Sequence, residues 1–377
     1  MMDKDRMLYF DNLRLCVIML VVCMHAAVTY SGLGSWYYKE DLNPGLGTTI
    51  FFAVFQSFLQ AFFMGVLFMA AGYFAAGSLK KKGKTVFIKA RAFRLGLPSL
   101  VYMLGVNPLM VYYLVQFDRL RDAVSFPDYY LGYVSTFRFL SGSGPMWFAL
   151  ALLFFCAVYA LAHRPGSPPP QTGRITGAMA ARIALAASVT AFAIRIVQPV
   201  GTDILNMQLC YFAQYVILFV FGIMARGRGW FDSLDYRLCK RLVILAFAFI
   251  PLLPLLFVAG GALEGNEQAL FGGLHWQSLA YSAWESFTGV FMSIGLLGVL
   301  KRGWNAQSRL TAALSGAAFA VYMFHPPVLV FISQQLRFLV LPAIPKFLVV
   351  TALALPASFL AGMAVRRIPV LRQLTPS

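Results

Sequence analysis

The chain has 377 residues, of which 60% are hydrophobic and only 12% are charged, and its mean hydropathy is +0.72. A soluble protein of this length needs about 25% charged residues to cover its surface, so these values exclude an ordinary soluble protein. Several apolar runs of about 20 residues instead predict a polytopic, all-α membrane protein. The formal net charge of +17 is then explained by membrane topology, and we expect no binding to nucleic acid.

Hydropathy predicts ten transmembrane helices in a single integral-membrane domain over residues 1–377. The predicted spans are 13–33, 51–76, 96–116, 145–162, 180–198, 207–224, 242–260, 279–299, 312–333 and 338–364. With the N-terminus in the cytoplasm, about three quarters of the 31 lysines and arginines fall on the cytoplasmic side, among them Lys4 and Arg6. Because positively charged loops stay inside, we expect both termini to be cytoplasmic.

The cysteines give no sign of a metal or a disulfide framework. The chain has five of them, and no two form a C-x-x-C pair. We therefore expect neither disulfides nor a bound metal ion.

The first predicted helix carries two ionisable residues, Arg14 and His25. They are 11 residues apart, which puts them within about 20° of one helix face and roughly 16.5 Å apart along the axis. A neutral imidazole in mid-membrane can act as a general base, or it can simply hydrogen-bond between helices. Arg14 can hold a phosphate or reach to the interface. Asp11, within about 40° of the same face, can orient Arg14.

A basic segment over residues 78–95 follows the second span. Its first lysines are typical of a patch that sets topology and binds anionic lipid. Arg91 and Arg94 are three residues apart and share one helical face at the mouth of the third span. Together with Lys89 they are suited to a polyphosphate. The segment has no Gly-rich phosphate loop, which argues against a nucleotide triphosphatase.

Two predicted external loops, 34–50 and 117–144, mix aromatic residues with carboxylates. Such side chains stack on and hydrogen-bond to sugars, but they also form the aromatic belts of membrane proteins. The residues concerned are Trp36, Tyr37, Tyr38, Lys39, Glu40 and Asp41 in the first loop, and Asp118, Asp122, Asp128, Tyr129, Tyr130, Tyr133 and Arg138 in the second. On the other side, residues 165–170 are rich in proline and predict a short stiff linker.

Four short motifs resemble those of the membrane-bound acyltransferase-3 family. They are Asp11-Asn12-Leu13-Arg14 followed by His25, Arg91-Ala92-Phe93-Arg94, Gly144-Pro145-Met146-Trp147-Phe148, and Tyr322-Met323-Phe324-His325-Pro326. They occur in the family's order on about ten helices and cover residues 9 to about 333. The resemblance is to single-domain members, which lack the hydrolase-like domain that other members carry.

The resemblance implies transfer of an acyl group across the bacterial cytoplasmic membrane to a hydroxyl of an extracytoplasmic glycan or glycolipid. The donor is acyl-coenzyme A, usually acetyl-coenzyme A, although succinyl is an open alternative. The resemblance implies that His25 is the catalytic histidine and that Arg14, Arg91 and Arg94 bind the donor. From their positions in the sequence we add Asp11 to the catalytic residues and Lys89 to the donor-binding residues. His25 either takes the proton of the attacking hydroxyl or is acylated first.

Three further residues are candidates for the acceptor site. His325 and Trp147 belong to the family-like motifs, although Trp147 can equally anchor its helix at the interface. Glu285 is a carboxylate within the eighth predicted span, where a charge is costly. It either lines the acceptor site or pairs with a neighbouring helix, for example through Arg195.

Two other functions compete with an acyltransferase. One is a transporter or flippase of a lipid-linked or acylated anion, which should show broken helices with polar centres in both halves of the chain. Here the ionisable groups concentrate on the first helix and at the mouth of the third. The other is a non-catalytic module such as a sensor, which is expected to carry a soluble output domain. The ten predicted spans leave no room for one among these residues.

Overall fold

The computed structural model describes residues 7–40, 43–117, 124–164, 166 and 173–375. Within these residues the chain is helical and contains no β-strand, apart from an isolated bridge between Ile204 and Met207. Several residues of the sequence-based predictions lie outside the described part, namely Lys4, Arg6, Asp41, Asp118, Asp122 and all of the 165–170 linker except Gly166.

Ten helices in the described part of the chain are long and apolar enough to cross a membrane, which confirms the predicted all-α polytopic architecture. They are α1 (Leu8–Ser31), α2 (Leu46–Lys82), α3 (Lys84–Gln116), α4 (Gly144–Ala162), α5 (Gly177–Val197), α6 (Leu209–Arg228), α7 (Tyr236–Glu264), α8 (Trp276–Gly303), α9 (Arg309–Gln335) and α10 (Ala343–Val365). That both ends of the chain lie on one side of the membrane stays a prediction from the even number of spans. That this side is the cytoplasm stays a prediction from the loop charges.

The basic segment is helical, which its low hydropathy did not indicate. α2 continues to Lys82 and α3 already begins at Lys84, so the two helices are separated only by Gly83, whose φ is 75°. Lysine and arginine are good helix formers, so the helix ends where glycine allows the chain to turn. α3 then contains two π-helical stretches, Ala92–Gly96 and Tyr102–Val106. Arg94 lies in the first of them.

α2 and α8 pack together at the centre of the bundle, and glycines bring their backbones close to neighbours. A Cβ atom on Gly72 of α2 would lie 2.1 Å from Phe219 O of α6, and one on Gly289 of α8 would lie 2.0 Å from Ala61 O of α2. Helices in lipid associate largely through such close packing, because burial against a neighbour gains little over burial in lipid. α7, by contrast, has most of its surface exposed on the outside of the bundle.

α1 packs against α2, α8, α9 and α10, whereas α3 packs mainly against α2 and α4. Arg14 contacts Ser315 of α9, and His25 contacts His325 of the same helix. The residue numbers increase along both helices from the first contact to the second, so α1 and α9 run parallel. The face of α1 that carries Arg14 and His25 is therefore the face that meets α9.

Candidate active site

His25 and His325 form a hydrogen-bonded pair inside the bundle. His25 Nδ1 lies 2.8 Å from His325 Nε2, and the two ring planes differ by 11°. His325 is fully buried, while His25 keeps part of its surface accessible. The two residues are 300 positions apart in the sequence, so the pair exists only because α1 packs on α9.

The backbone next to His325 decides which ring nitrogens carry protons in the neutral pair. His325 Nδ1 lies 2.9 Å from Tyr322 O and 3.2 Å from Val321 O. A carbonyl only accepts hydrogen bonds, so His325 Nδ1 carries the proton and its Nε2 is an acceptor. His25 Nδ1 must then donate to His325 Nε2. His25 Nε2 is left with a lone pair and has no hydrogen-bond partner among the described residues, so it is the atom that can take a proton.

Pro326 explains why the carbonyl of Tyr322 is available to His325. In an α-helix that carbonyl would accept from the N–H of residue 326, and proline has none. The His325 Nδ1–H group replaces the missing donor. Tyr322 is itself held in place, because its hydroxyl donates to Pro145 O and its ring packs edge-to-face on Phe148. Two of the family-like motifs thus meet at the turn that carries His325.

The loop after α1 folds back over the histidine pair. Gly32 and Gly34 follow the end of α1 with φ angles of 72° and 79°, which allow the chain to reverse its direction. The indole of Trp36 then stacks on the ring of His25, with centroids 3.8 Å apart and planes 10° apart. This loop therefore forms one wall of the candidate site.

Two polar anchors hold this loop in the bundle. Tyr37 Oη donates to Asn107 Oδ1 of α3 at 2.8 Å. Burial raises the pKa of the Tyr37 phenol well above its ordinary value, so the hydroxyl remains a donor. Glu40 forms a salt bridge with Lys346 of α10, and its backbone N–H donates to Thr29 O at the end of α1.

Arg14 lies at the opposite end of α1. Its guanidinium bonds to Asp11 Oδ1 and to Ser315 O, each at 3.2 Å, and its side chain is 34% exposed. Asp11 is about 21 Å from His25 along the helix axis, too far for any proton transfer between them. Asp11 therefore contacts Arg14 and orients its guanidinium. It is too distant from His25 for the catalytic role that the sequence suggested.

The other predicted donor-binding residues lie on α3. Lys89 and Arg94 are exposed, and Arg91 is half-buried with its guanidinium 5.3 Å from the centre of the Phe87 ring. α3 is not a main packing partner of α1. That the cations of α3 lie on the same side of the membrane as Arg14 stays a prediction from the order of the spans.

Trp147 and Glu285 contact residues other than the two histidines. Trp147 stacks on Tyr215 of α6, with ring centroids 5.9 Å apart. Glu285 Oε2 lies 2.6 Å from Arg195 Nη2 in a fully buried salt bridge, which is the second of the two interpretations that the sequence left open for it. The structure thus gives this membrane carboxylate a partner without any substrate.

Sequence reasoning missed three features of this site. It did not pair His25 with His325, because hydropathy says nothing about which helices become neighbours. It also did not use Lys346, although a lysine within the tenth predicted span was a visible signal of a buried partner. The stacking of Trp36 on His25 had no specific signal beyond the aromatic composition of its loop.

These features define a polytopic membrane protein with a histidine pair inside its bundle, one imidazole nitrogen free to act as a base, and accessible cations at one end. The family described as an acyltransferase domain matches residues 7–363. The chain therefore belongs to the acyltransferase-3 family and is a membrane acyltransferase. No curated protein and no solved structure matches the chain significantly.

Proposed function

We propose that this protein is an O-acyltransferase of the bacterial cytoplasmic membrane. It moves an acyl group, most simply acetyl, from cytoplasmic acyl-coenzyme A to a hydroxyl of an extracytoplasmic glycan or glycolipid. The observation that supports this best is the free Nε2 of His25, with Nδ1 engaged by His325. An alcohol is a weak nucleophile, and a neutral imidazole that takes its proton during attack is what the reaction needs.

In the proposed reaction the hydroxyl oxygen attacks the carbonyl carbon of the thioester while His25 Nε2 takes the hydroxyl proton. The C–S bond then breaks, and the imidazolium returns the proton to the departing thiolate. The products are an ester and free coenzyme A, so proton and acyl group are both accounted for. The hydrogen bond from His25 Nδ1 to His325 becomes charge-assisted while His25 is protonated, which stabilises that state.

The donor is proposed to bind at the end of the bundle where Arg14 lies. Arg14, Lys89, Arg91 and Arg94 carry the positive charges that the phosphates of coenzyme A require, and guanidinium groups match phosphate geometry well. Arg14 is roughly 16.5 Å from His25 along α1. An extended acyl-pantetheine arm would have to cover that distance to bring the thioester to His25 Nε2.

Two routes use the same nitrogen atom. The hydroxyl attacks the thioester directly, or His25 Nε2 is acylated first and passes the group on. Incubation with radiolabelled acetyl-coenzyme A in the absence of an acceptor distinguishes them. Label that remains covalently attached to the peptide containing His25 supports the acyl-enzyme route.

The test of the function is acetyl transfer by the purified protein from radiolabelled acetyl-coenzyme A to methyl β-D-glucopyranoside. We expect His25→Ala to lower the rate by about 1,000-fold, within the range of general-base effects. His275→Ala is the matched control, because His275 is exposed at the start of α8. Transfer by His25→Ala at the wild-type rate contradicts the proposal. Passage of intact labelled donor across vesicles would favour the transporter instead.

A further inference from the structure

The indole of Trp36 covers one face of the His25 ring. The centroids of the two rings are 3.8 Å apart, and their planes differ by only 10°. The plane of His325 lies 11° from that of Trp36, but its centroid is farther from the indole, at 6.1 Å. The indole is therefore in close contact with His25 and more distant from the hydrogen-bond partner of His25.

This stack leaves both nitrogen atoms of His25 available for other contacts. An imidazole makes its hydrogen bonds at the edge of the ring, whereas the indole lies against the face. His25 Nδ1 and His325 Nε2 are 2.8 Å apart, while the centroids of the two imidazoles are 5.0 Å apart. His25 can therefore donate to His325, take a proton at Nε2 and stack on Trp36 at the same time.

The fold holds Trp36 in this position. The neighbouring ring of Tyr37 meets the indole at 70°, with centroids 5.0 Å apart, and its hydroxyl donates to Asn107 of α3. Trp36 also packs against an apolar cluster formed by α1, α2, α9 and α10. The stack is thus a preformed contact of the protein and needs no substrate to assemble it.

A positive charge on His25 has no anionic partner within the structure. In the hydrolase triads a carboxylate orients the catalytic imidazole and stabilises the imidazolium that forms. Here no carboxylate of the described residues forms an ion pair with His25 or His325. A neutral histidine supplies a hydrogen bond but no negative charge. The charge that develops on His25 during the reaction therefore needs stabilisation from another group.

An indole face supplies such stabilisation. The face of an aromatic ring is negative and attracts cations, tryptophan most strongly, and the attraction grows where water is excluded. His25 is neutral before the proposed reaction and positively charged once it has taken the hydroxyl proton. It is also charged if Nε2 is acylated, because Nδ1 keeps its proton. A contact that strengthens only with this charge lowers the barrier of the chemical step.

We propose that Trp36 is a further catalytic residue, whose indole face stabilises the positive charge on His25 during acyl transfer. The proposal rests on the acyltransferase function given above and adds a group that acts directly on the ring of the base. Because the indole lies closer to His25 than to His325, it also favours the charge on the ring that must return the proton to the thiolate.

Fluorination of the indole tests this proposal, because fluorine withdraws electrons from the ring face and changes its size little. The protein is prepared with monofluoro-, difluoro- and trifluorotryptophan and assayed for acetyl transfer to methyl β-D-glucopyranoside. We expect kcat to fall with each added fluorine, by about tenfold over the series. The KM for acetyl-coenzyme A should not change. The chain has six tryptophans, so the same series in Trp36→Phe is the matched control and should show no trend.

Substitutions at position 36 provide a second measurement. We expect Trp36→Phe to lower kcat by about threefold and Trp36→Leu by about tenfold, because phenyl attracts a cation less than indole and leucine does not attract one. In a His25→Ala background, Trp36→Leu should have no further effect, since no imidazole is left to carry the charge. The fluorinated wild type keeps every side chain of the fold, so it separates the effect of charge from any loss of packing.

The outcomes separate this inference from the proposed function. If kcat is constant across the fluorine series, or if Trp36→Leu slows His25→Ala as much as it slows wild type, the indole only shields the site and the inference is wrong. The acetyl transfer measured in that case still supports the proposed function. If unfluorinated wild type transfers no acetyl group to the glucoside, the proposed function fails and this inference fails with it.

Discussion

His25 Nδ1 donates a hydrogen bond to His325 Nε2 across 2.8 Å, and this contact determines which nitrogen of His25 is available for chemistry. The bond depends on His325 Nδ1 being held by the Tyr322 carbonyl, which Pro326 leaves without its helical donor. A base on α1 is thus oriented by a backbone feature of α9. Acyl transfer needs such an orienting group, because an imidazole in the wrong tautomer points a proton, rather than a lone pair, at the nucleophile.

Replacing His325 should impair the chemical step and leave donor binding intact. We expect His325→Leu to lower kcat about 100-fold, because His25 then loses the acceptor that fixes its tautomer. The KM for acetyl-coenzyme A should remain within about twofold, since His325 is remote from Arg14. Steady-state kinetics measures both constants. His325→Gln, whose amide oxygen can accept from His25 Nδ1, should recover part of the rate. An unchanged kcat with a raised donor KM would contradict the orienting role.

Pro326 offers an independent test that the Tyr322 carbonyl orients the histidine pair. Pro326→Ala restores an N–H that competes with His325 Nδ1 for the Tyr322 carbonyl, so we expect kcat to fall by about tenfold while the helix is stabilised. Pro327→Ala is the control, because it restores the donor to Met323 O, and His325 Nδ1 bonds to Val321 O and Tyr322 O instead. Equal effects of the two substitutions on kcat would argue against the mechanism.

The salt bridge between Glu40 and Lys346 should stabilise the closed loop. Lys346 is 1% exposed, so Lys346→Met leaves a carboxylate in an apolar setting and should cost about 3–5 kcal/mol of unfolding free energy. The double variant Glu40→Gln with Lys346→Met removes both charges and should recover most of that loss. We also expect more hydrolysis of acetyl-coenzyme A by the single variant, because a displaced loop admits water. Thermal unfolding and release of free coenzyme A measure the two effects.

The Arg195 to Glu285 salt bridge should behave as a structural contact. Arg195 also lies between the rings of Tyr211 and Tyr281, at 5.6 and 5.0 Å from their centres. Breaking this pair with Glu285→Leu should destabilise the fold by about 3–5 kcal/mol, because it leaves the guanidinium buried and uncompensated. The KM for a glucoside acceptor should not change. A stable variant with a strongly raised acceptor KM would instead support the acceptor role that the sequence suggested for Glu285.

Most of the fold could be predicted from the sequence, because membrane spans are a local property. An apolar run of about 20 residues must form a helix in lipid to satisfy its backbone, whatever its neighbours are. The ends of α2 and α3 were missed for a similar reason. Hydropathy detects the membrane boundary, whereas the helix itself continues through the basic residues up to Gly83.

The sequence by itself determined the ten spans and the placement of Arg14 and His25 on one face of α1, since both follow from hydropathy and from the period of the helix. Only the tertiary structure decided that His325 Nε2 accepts a hydrogen bond from His25 Nδ1, that Trp36 stacks on the His25 ring, and that Glu285 pairs with Arg195. The first and third of these contacts join residues 300 and 90 positions apart, and the second depends on how the loop after α1 folds back. Helices in lipid choose their neighbours through packing and polar contacts that no local pattern records.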